Sequence, residues 1–165
     1  MELVGVRLEL PANTPIVLLR EQGGRRRVLP IYIGGPEAAA IAYALEGVQS
    51  PRPLTHDLFK NVLEELGVSL ARVVVTEMRE HTYYAELHLD RNGSTTVVSS
   101  RPSDSIALAV RTGSPIFADE DLLDEYGQEQ VEDESGEQDE EVQEEILEEF
   151  RDFIENVNPE DFDRS

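Results

Sequence analysis

Three short segments place charged side chains where a turn gives way to a helix: Gly35-Pro36-Glu37, Arg52-Pro53-Leu54-Thr55-His56-Asp57 and Arg101-Pro102-Ser103-Asp104. The first N–H groups of a helix have no partner inside it, and the aligned peptide dipoles make that end positive, so it attracts phosphate. Arg52 and Arg101 precede two of these starts and suit paired hydrogen bonds to a phosphodiester. His56 is the side chain able to move a proton near neutral pH. Glu37, Asp57 and Asp104 offer the hard oxygen ligands that Mg²⁺ and Mn²⁺ prefer.

Each residue also has a plainer role. A first-turn carboxylate stabilises any helix, Ser103 is a natural N-cap, and an Arg-Pro pair can anchor a loop through backbone carbonyls. Arg25, Arg26 and Arg27 form the one basic cluster, suited to nonspecific phosphate contact or simply a solvated hairpin. Tyr83 and Tyr84 alternate on a strand, which sends one to the core and leaves the other able to stack on a base. His81 and His88 are too far apart for a clustered metal motif, and no P-loop, G-x-G-x-x-G, G-x-S-x-G or H-E-x-x-H pattern occurs. Spacing alone gives a domain with an anion site and no defined reaction.

The elements that must position these residues can be read in order. Val4, Val6, Leu8 and Leu10 alternate with Gly5, Arg7 and Glu9 as a half-buried strand, and residues 16–20 and 27–33 pair through a turn at Gln22-Gly23-Gly24. Ala38 to Leu45 is a smooth, small-residue helix entered through Gly34, Gly35 and Pro36. Thr55 to Leu66, capped by Thr55, carries a stripe of Leu58, Phe59, Val62, Leu63 and Leu66. Residues 68–78, 83–90 and 94–99 read as three antiparallel strands, the last two joined by Arg91-Asn92-Gly93. They lead into the helix that starts at Ser103 and ends at Gly113. It is apolar on nearly every side and so belongs inside the domain. Residues 114–117 read as an edge strand and 119–126 as a short helix.

Residues 1–118 carry 12 Lys/Arg against 13 Asp/Glu, whereas residues 119–165 carry 2 against 22. The overall charge of −21 therefore belongs to the C-terminal part. Residues 127–141 have almost no apolar side chains and read as an acidic disordered linker. Val142, Ile146, Phe150, Ile154 and Val157 then describe an acidic amphipathic helix within 142–165, whose partner the sequence does not name. The resulting expectation is an α+β domain at 1–126, a mostly antiparallel sheet with three packed helices, followed by linker and tail helix. The absence of cysteine, of a signal peptide and of a long apolar run predicts a cytoplasmic protein with no membrane segment. Open strand edges allow a homodimer.

Three separated segments, Leu29-Pro30-Ile31-Tyr32-Ile33-Gly34 with Glu37-Ala38, Arg52 to Leu58, and Ser100 to Ala109, together closely resemble the bifunctional nuclease family over roughly residues 1–125. The resemblance implies a compact α+β domain and, for some members of the family, cleavage of both DNA and RNA, the work of a nuclease and hence a hydrolase; its matching positions are Glu37, Arg52, His56, Asp57, Arg101, Ser103 and Asp104. Ser105 stands where the family usually has alanine. Taken with the chemistry above, this predicts a metal-assisted phosphodiesterase. Arg52, Arg101, Ser103 and Arg25 to Arg27 would hold substrate, and His56, Asp57, Asp104 and Glu37 would serve catalysis. Glu37, Asp57 and Asp104 would hold Mg²⁺ or Mn²⁺. The competing expectation is a noncatalytic module that binds a phosphorylated ligand or a protein partner at the same helix starts.

Overall fold

The computed structural model describes residues 1–48 and 50–129; Gln49 and residues 130–165 lie outside the described residues. The tail helix expected at 142–165 and most of the linker expected at 127–141 therefore fall outside them as well.

The described chain is α+β and mostly antiparallel. Strands β1 (Glu2–Glu9), β2 (Thr14–Arg20) and β3 (Val28–Tyr32) form a meander and lead to helix α1 (Gly35–Leu45) and helix α2 (Thr55–Glu65). Strands β4 (Ser69–Arg79), β5 (Thr82–Arg91) and β6 (Ser94–Ser100) follow, then helix α3 (Pro102–Thr112), strand β7 (Ile116–Ala118) and helix α4 (Glu120–Tyr126). The second sheet runs β6-β5-β4-β7, with β7 parallel to β4 and the other pairs antiparallel.

Cross-strand apolar triplets hold the first sheet: Val17 lies between Val6 and Ile31, and Leu19 between Leu3 and Leu29. The register slips between Leu3 and Gly5, so Leu3, rather than the expected Val4, joins Val6 and Leu8 on the core side. The β5–β6 reversal places both Asn92 and Gly93 in the left-handed region (φ 54° and 80°), the backbone that a two-residue hairpin needs.

Helix α3 is the centre of the molecule, packing on α1, α2, β4 and β5. Ile106, Ala107, Leu108 and Ala109 are all buried, as an apolar helix with no outward face requires. Small residues on α1, Ala38 and Ala42 among them, are buried as well and let the two helices approach closely. Ser105 is fully buried, and its hydroxyl pairs with that of Ser100, which also reaches the Ala85 carbonyl at 3.4 Å. A serine is thus accommodated where the family has alanine, because the end of β6 supplies its partner.

Two expectations need correction. Arg101, not Ser103, is the N-cap of α3; Pro102 takes the first helical position, where its fixed φ and missing N–H cost nothing, and moves the start forward. Leu54, not Thr55, is the N-cap of α2, and its backbone N–H donates to the Asp57 carboxylate at 3.0 Å. Of the apolar stripe on α2 only Leu63 is buried, while Leu58, Phe59, Val62 and Leu66 remain 44–56% exposed. Helix α2 touches the domain through α3 alone among the stronger contacts, so most of its apolar width is left uncovered by the described residues.

Gly127 to Glu129 are described and belong to the domain. Val28 and Gln128 exchange backbone hydrogen bonds of 2.8 and 2.9 Å, which ties the start of the acidic segment to β3.

Candidate active site

The start of α1, the start of α2 and the start of α3 converge. Pro36 and Glu37 from the first, Leu54, Thr55 and His56 from the second, and Arg101 and Asp104 from the third line one cleft of about 310 Å³. His56 Nε2 lies 3.1 Å from Asp104 Oδ1. Arg101 donates from Nε to Asp104 Oδ2 at 2.8 Å and from Nη2 to Oδ1 at 3.2 Å, and its Nη1 lies 2.9 Å from Glu37 Oε1. Four of the predicted residues, one from each of α1 and α2 and two from α3's start, thus form one chain: Glu37, Arg101, Asp104, His56.

Burial raises the affinity of the Asp104 carboxyl for its proton, but hydrogen bonds from Arg101 and His56 and the charge of Arg101 outweigh it and hold the group below the usual carboxylate range. The same bonds, Asp104 foremost, push the Arg101 guanidinium upward. Asp104 therefore stays an acceptor and Arg101 stays charged. With Asp104 accepting, the His56 proton sits on Nε2 and the lone pair of Nδ1 is left for a substrate proton. Arg101 spends three of its five N–H groups on carboxylates, and two-thirds of its side chain remains exposed for an incoming anion.

Asp57, adjacent to His56, turns the other way. One oxygen caps α2 at Leu54 N and the other accepts from Arg111 Nε at 2.5 Å. Arg111 is only 8% exposed and also donates to the Ala40 and Ala107 carbonyls, so it pins α1, α2 and α3 together from behind the cleft. Burial works against the Asp57 charge, yet Arg111 and the Leu54 N–H keep its pKa lowered. The sequence reading overlooked Arg111, although a charged residue closing an otherwise apolar helix is itself a signal of a buried partner.

The tentative metal trio is not one donor set. Asp57 faces Arg111, and the guanidinium of Arg101 already lies between Glu37 and Asp104. Among the described residues no three His, Asp or Glu side chains gather as metal ligands do. The carboxylates here are arranged to hold arginine, and they do not fit a preformed Mg²⁺ or Mn²⁺ site.

The remaining predicted binding residues are dispersed. Arg52 is exposed and lines neither this cleft nor the next one. Arg27 is buried and held by Glu21, Glu120 and Asp124 at 2.7–2.9 Å, while Arg25 lies 3.1 Å from Asp124. Two of the three clustered arginines thus tie the β2–β3 turn to α4, and only the exposed Arg26 is left. Ser103 is only 6% exposed and lines a second, larger cleft of about 520 Å³ on the far side of Arg101. Tyr83 lines it too, its ring edge-on to Tyr126, whereas Tyr84 lies beneath the Arg79 guanidinium at 4.4 Å.

Comparison with known proteins places the chain in a family. The bifunctional nuclease domain pattern matches residues 17–131, more than half of the chain. A Mycobacterium tuberculosis protein, "Uncharacterized protein Rv1829", is 47% identical over 163 residues, 98% of this chain and 96% of its own length. "Bifunctional nuclease 1" of Oryza sativa subsp. indica is 30% identical over 114 residues, 67% of this chain and 34% of that protein. "Bifunctional nuclease 1" of Arabidopsis thaliana is 31% identical over 108 residues, 64% and 33%. This chain therefore spans about a third of the length of the plant relatives. By the extent of the pattern match, the chain belongs to the bifunctional nuclease domain family.

Proposed function

We propose that the protein is a phosphodiesterase acting on DNA and RNA at the cleft of His56, Arg101 and Asp104. The observation that carries this reading is the Arg101–Asp104–His56 chain across the starts of two helices. Arg101 grips a non-bridging phosphate oxygen with its free N–H groups and stabilises the charge that grows there as the phosphorus becomes five-coordinate. His56, held by Asp104, takes a proton from the attacking water through Nδ1 as the new P–O bond forms, and the ester P–O bond opposite breaks, its oxygen leaving with a proton from solvent. Glu37 positions Arg101, and Asp57 positions α2 on α3. Arg52 and Arg26, both exposed, supply outer phosphate contacts.

Purified protein is expected to cut single-stranded DNA and RNA, with His56→Ala abolishing cleavage. Undiminished cleavage by that variant would place the activity elsewhere. A noncatalytic phosphate-binding module is favoured by one observation: Arg101 is already neutralised by two carboxylates. Thermal stabilisation by nucleotides with no product formed would decide for it. The cysteine-free composition fits a cytoplasmic setting, and among the described residues no helix is long and apolar enough to cross a membrane.

The homodimer belongs to the same proposal. Strand β6 is a sheet edge without charge or proline, and Val97 and Val98 on its two faces are 50% and 41% exposed. Such an edge can pair with its own copy about a two-fold axis. Sedimentation equilibrium is expected to show dimer, and Val97→Lys to shift it toward monomer.

A further inference from the structure

Arg101 lines both clefts, so a phosphate on its guanidinium lies at the junction of the two. The larger cleft differs in character from the smaller. Ile33, Met78, Tyr32 and Tyr83 give it an apolar, aromatic lining, and Arg101 and Ser103 sit at its α3 end. His81 and Thr82 add polar groups from the β4–β5 turn, and a volume of about 520 Å³ with a mainly apolar lining and a few polar groups is what a small ring-bearing ligand needs.

Two observations separate it from an ordinary crevice. Ser103 is nine-tenths buried and makes no hydrogen bond among the described residues, yet its hydroxyl is not sealed from solvent. It is a donor and acceptor open to this cleft, beside a helix start that no side chain caps. One of the aromatic rings is also held in place. Tyr83 packs edge-on against Tyr126 with centroids 6.2 Å apart, while Tyr32 stays 55% exposed and free to meet a ligand.

We propose that this second cleft is a nucleobase subsite. The base of the nucleotide whose phosphate sits on Arg101 lies in it against Tyr32 and Tyr83, and Ser103 with the α3 N-terminus holds that phosphate from the other side. The inference rests on the nuclease reading and narrows it. A base inside a duplex is paired with its partner and stacked between its neighbours, and cannot reach a recessed cleft without being extruded. The substrate is therefore single-stranded DNA or RNA, or unpaired segments within a duplex, read by stacking and without a sequence code.

Calorimetric titration of the full chain with adenosine 5′-monophosphate and with ribose 5-phosphate tests the subsite apart from turnover. The nucleotide is expected to bind at least about fivefold more tightly, the low end of what stacking one base contributes. Tyr32→Ala removes that preference and leaves ribose 5-phosphate affinity unchanged, whereas Ser103→Ala weakens both ligands alike. Equal binding of the two ligands by the unaltered protein, or a preference that survives Tyr32→Ala, overturns the subsite even if hydrolysis is observed. A base preference in a protein that never hydrolyses keeps the subsite and removes the nuclease reading instead. In cleavage assays, a single-stranded oligonucleotide is expected to be cut at least about tenfold faster than its duplex.

Discussion

His56 on α2 and Asp104 on α3 are 48 positions apart in the chain, and their side chains meet with Nε2 3.1 Å from Oδ1. In the proposed reaction this contact gives the imidazole's second nitrogen the role of base. Asp104→Asn would leave the shape and alter the tautomer, so kcat is expected to fall about 10²- to 10⁴-fold with a smaller change in KM. His56→Ala should cost as much, and the double variant no more than either alone, because the two act as one unit. Steady-state kinetics on a fluorogenic oligonucleotide measures all three, and additive losses would show that the residues act separately.

In the proposed reaction Glu37 competes with substrate for Arg101. Its carboxylate lies 2.9 Å from Nη1, so Glu37→Gln removes one negative charge from the cleft and weakens one claim on the guanidinium. Nucleic-acid affinity is expected to rise several-fold at low salt. Arg101→Lys should instead weaken binding and turnover about tenfold or more, since an ammonium cannot make the forked contact. A Glu37→Gln variant that loses all activity would mean that the carboxylate acts on the substrate or on a metal directly.

Asp57 is expected to affect stability and to spare chemistry. Asp57→Asn weakens the α2 cap and leaves the buried Arg111 without its carboxylate, a loss of about 1–3 kcal/mol. Urea unfolding measures it. Per folded molecule, hydrolysis should remain within about twofold of the unaltered protein at a temperature well below Tm.

Acid should unfold the domain through three carboxylates. The bond from Arg27 chiefly holds Glu21 down to about 2, and Asp57 and Asp104 also lie below their ordinary values. In each case the unfolded chain binds the proton first, so stability is complete above the ordinary carboxylate range and drains away as pH falls through it. Urea midpoints are expected to drop steadily from about pH 5 to about pH 2. Glu21→Gln should flatten part of that slope, and an unchanged slope would mean that Glu21 is not held by Arg27 in solution.

The Mg²⁺ expectation meets the same standard. Calorimetric titration of free protein with Mg²⁺ or Mn²⁺ should show no site at micromolar affinity, because Arg101 occupies the space between Glu37 and Asp104. Tight binding lost in Glu37→Gln would show that arginine yields to the ion.

Local patterns in the chain were enough to establish its α+β class, the hairpin at Asn92-Gly93, the buried character of α3, and the charged helix starts, since propensity, period and turn chemistry act over a few residues. The three nuclease-like segments were equally legible, and the pattern match over residues 17–131 agrees with them. What periodicity could not say was which apolar stripe would find a partner. The face of α2 reads like any buried face, but its neighbours leave most of it open.

The allocation of charge was decided by tertiary structure alone. Glu37, Asp57 and Asp104 look equivalent as first-turn carboxylates, yet packing of α1, α2 and α3 sends Asp57 to Arg111 and the other two to Arg101. Likewise Arg27 belongs to Glu21 and α4, not to a phosphate surface. An ion pair depends on distances between segments far apart in sequence, and only the folded chain sets those distances.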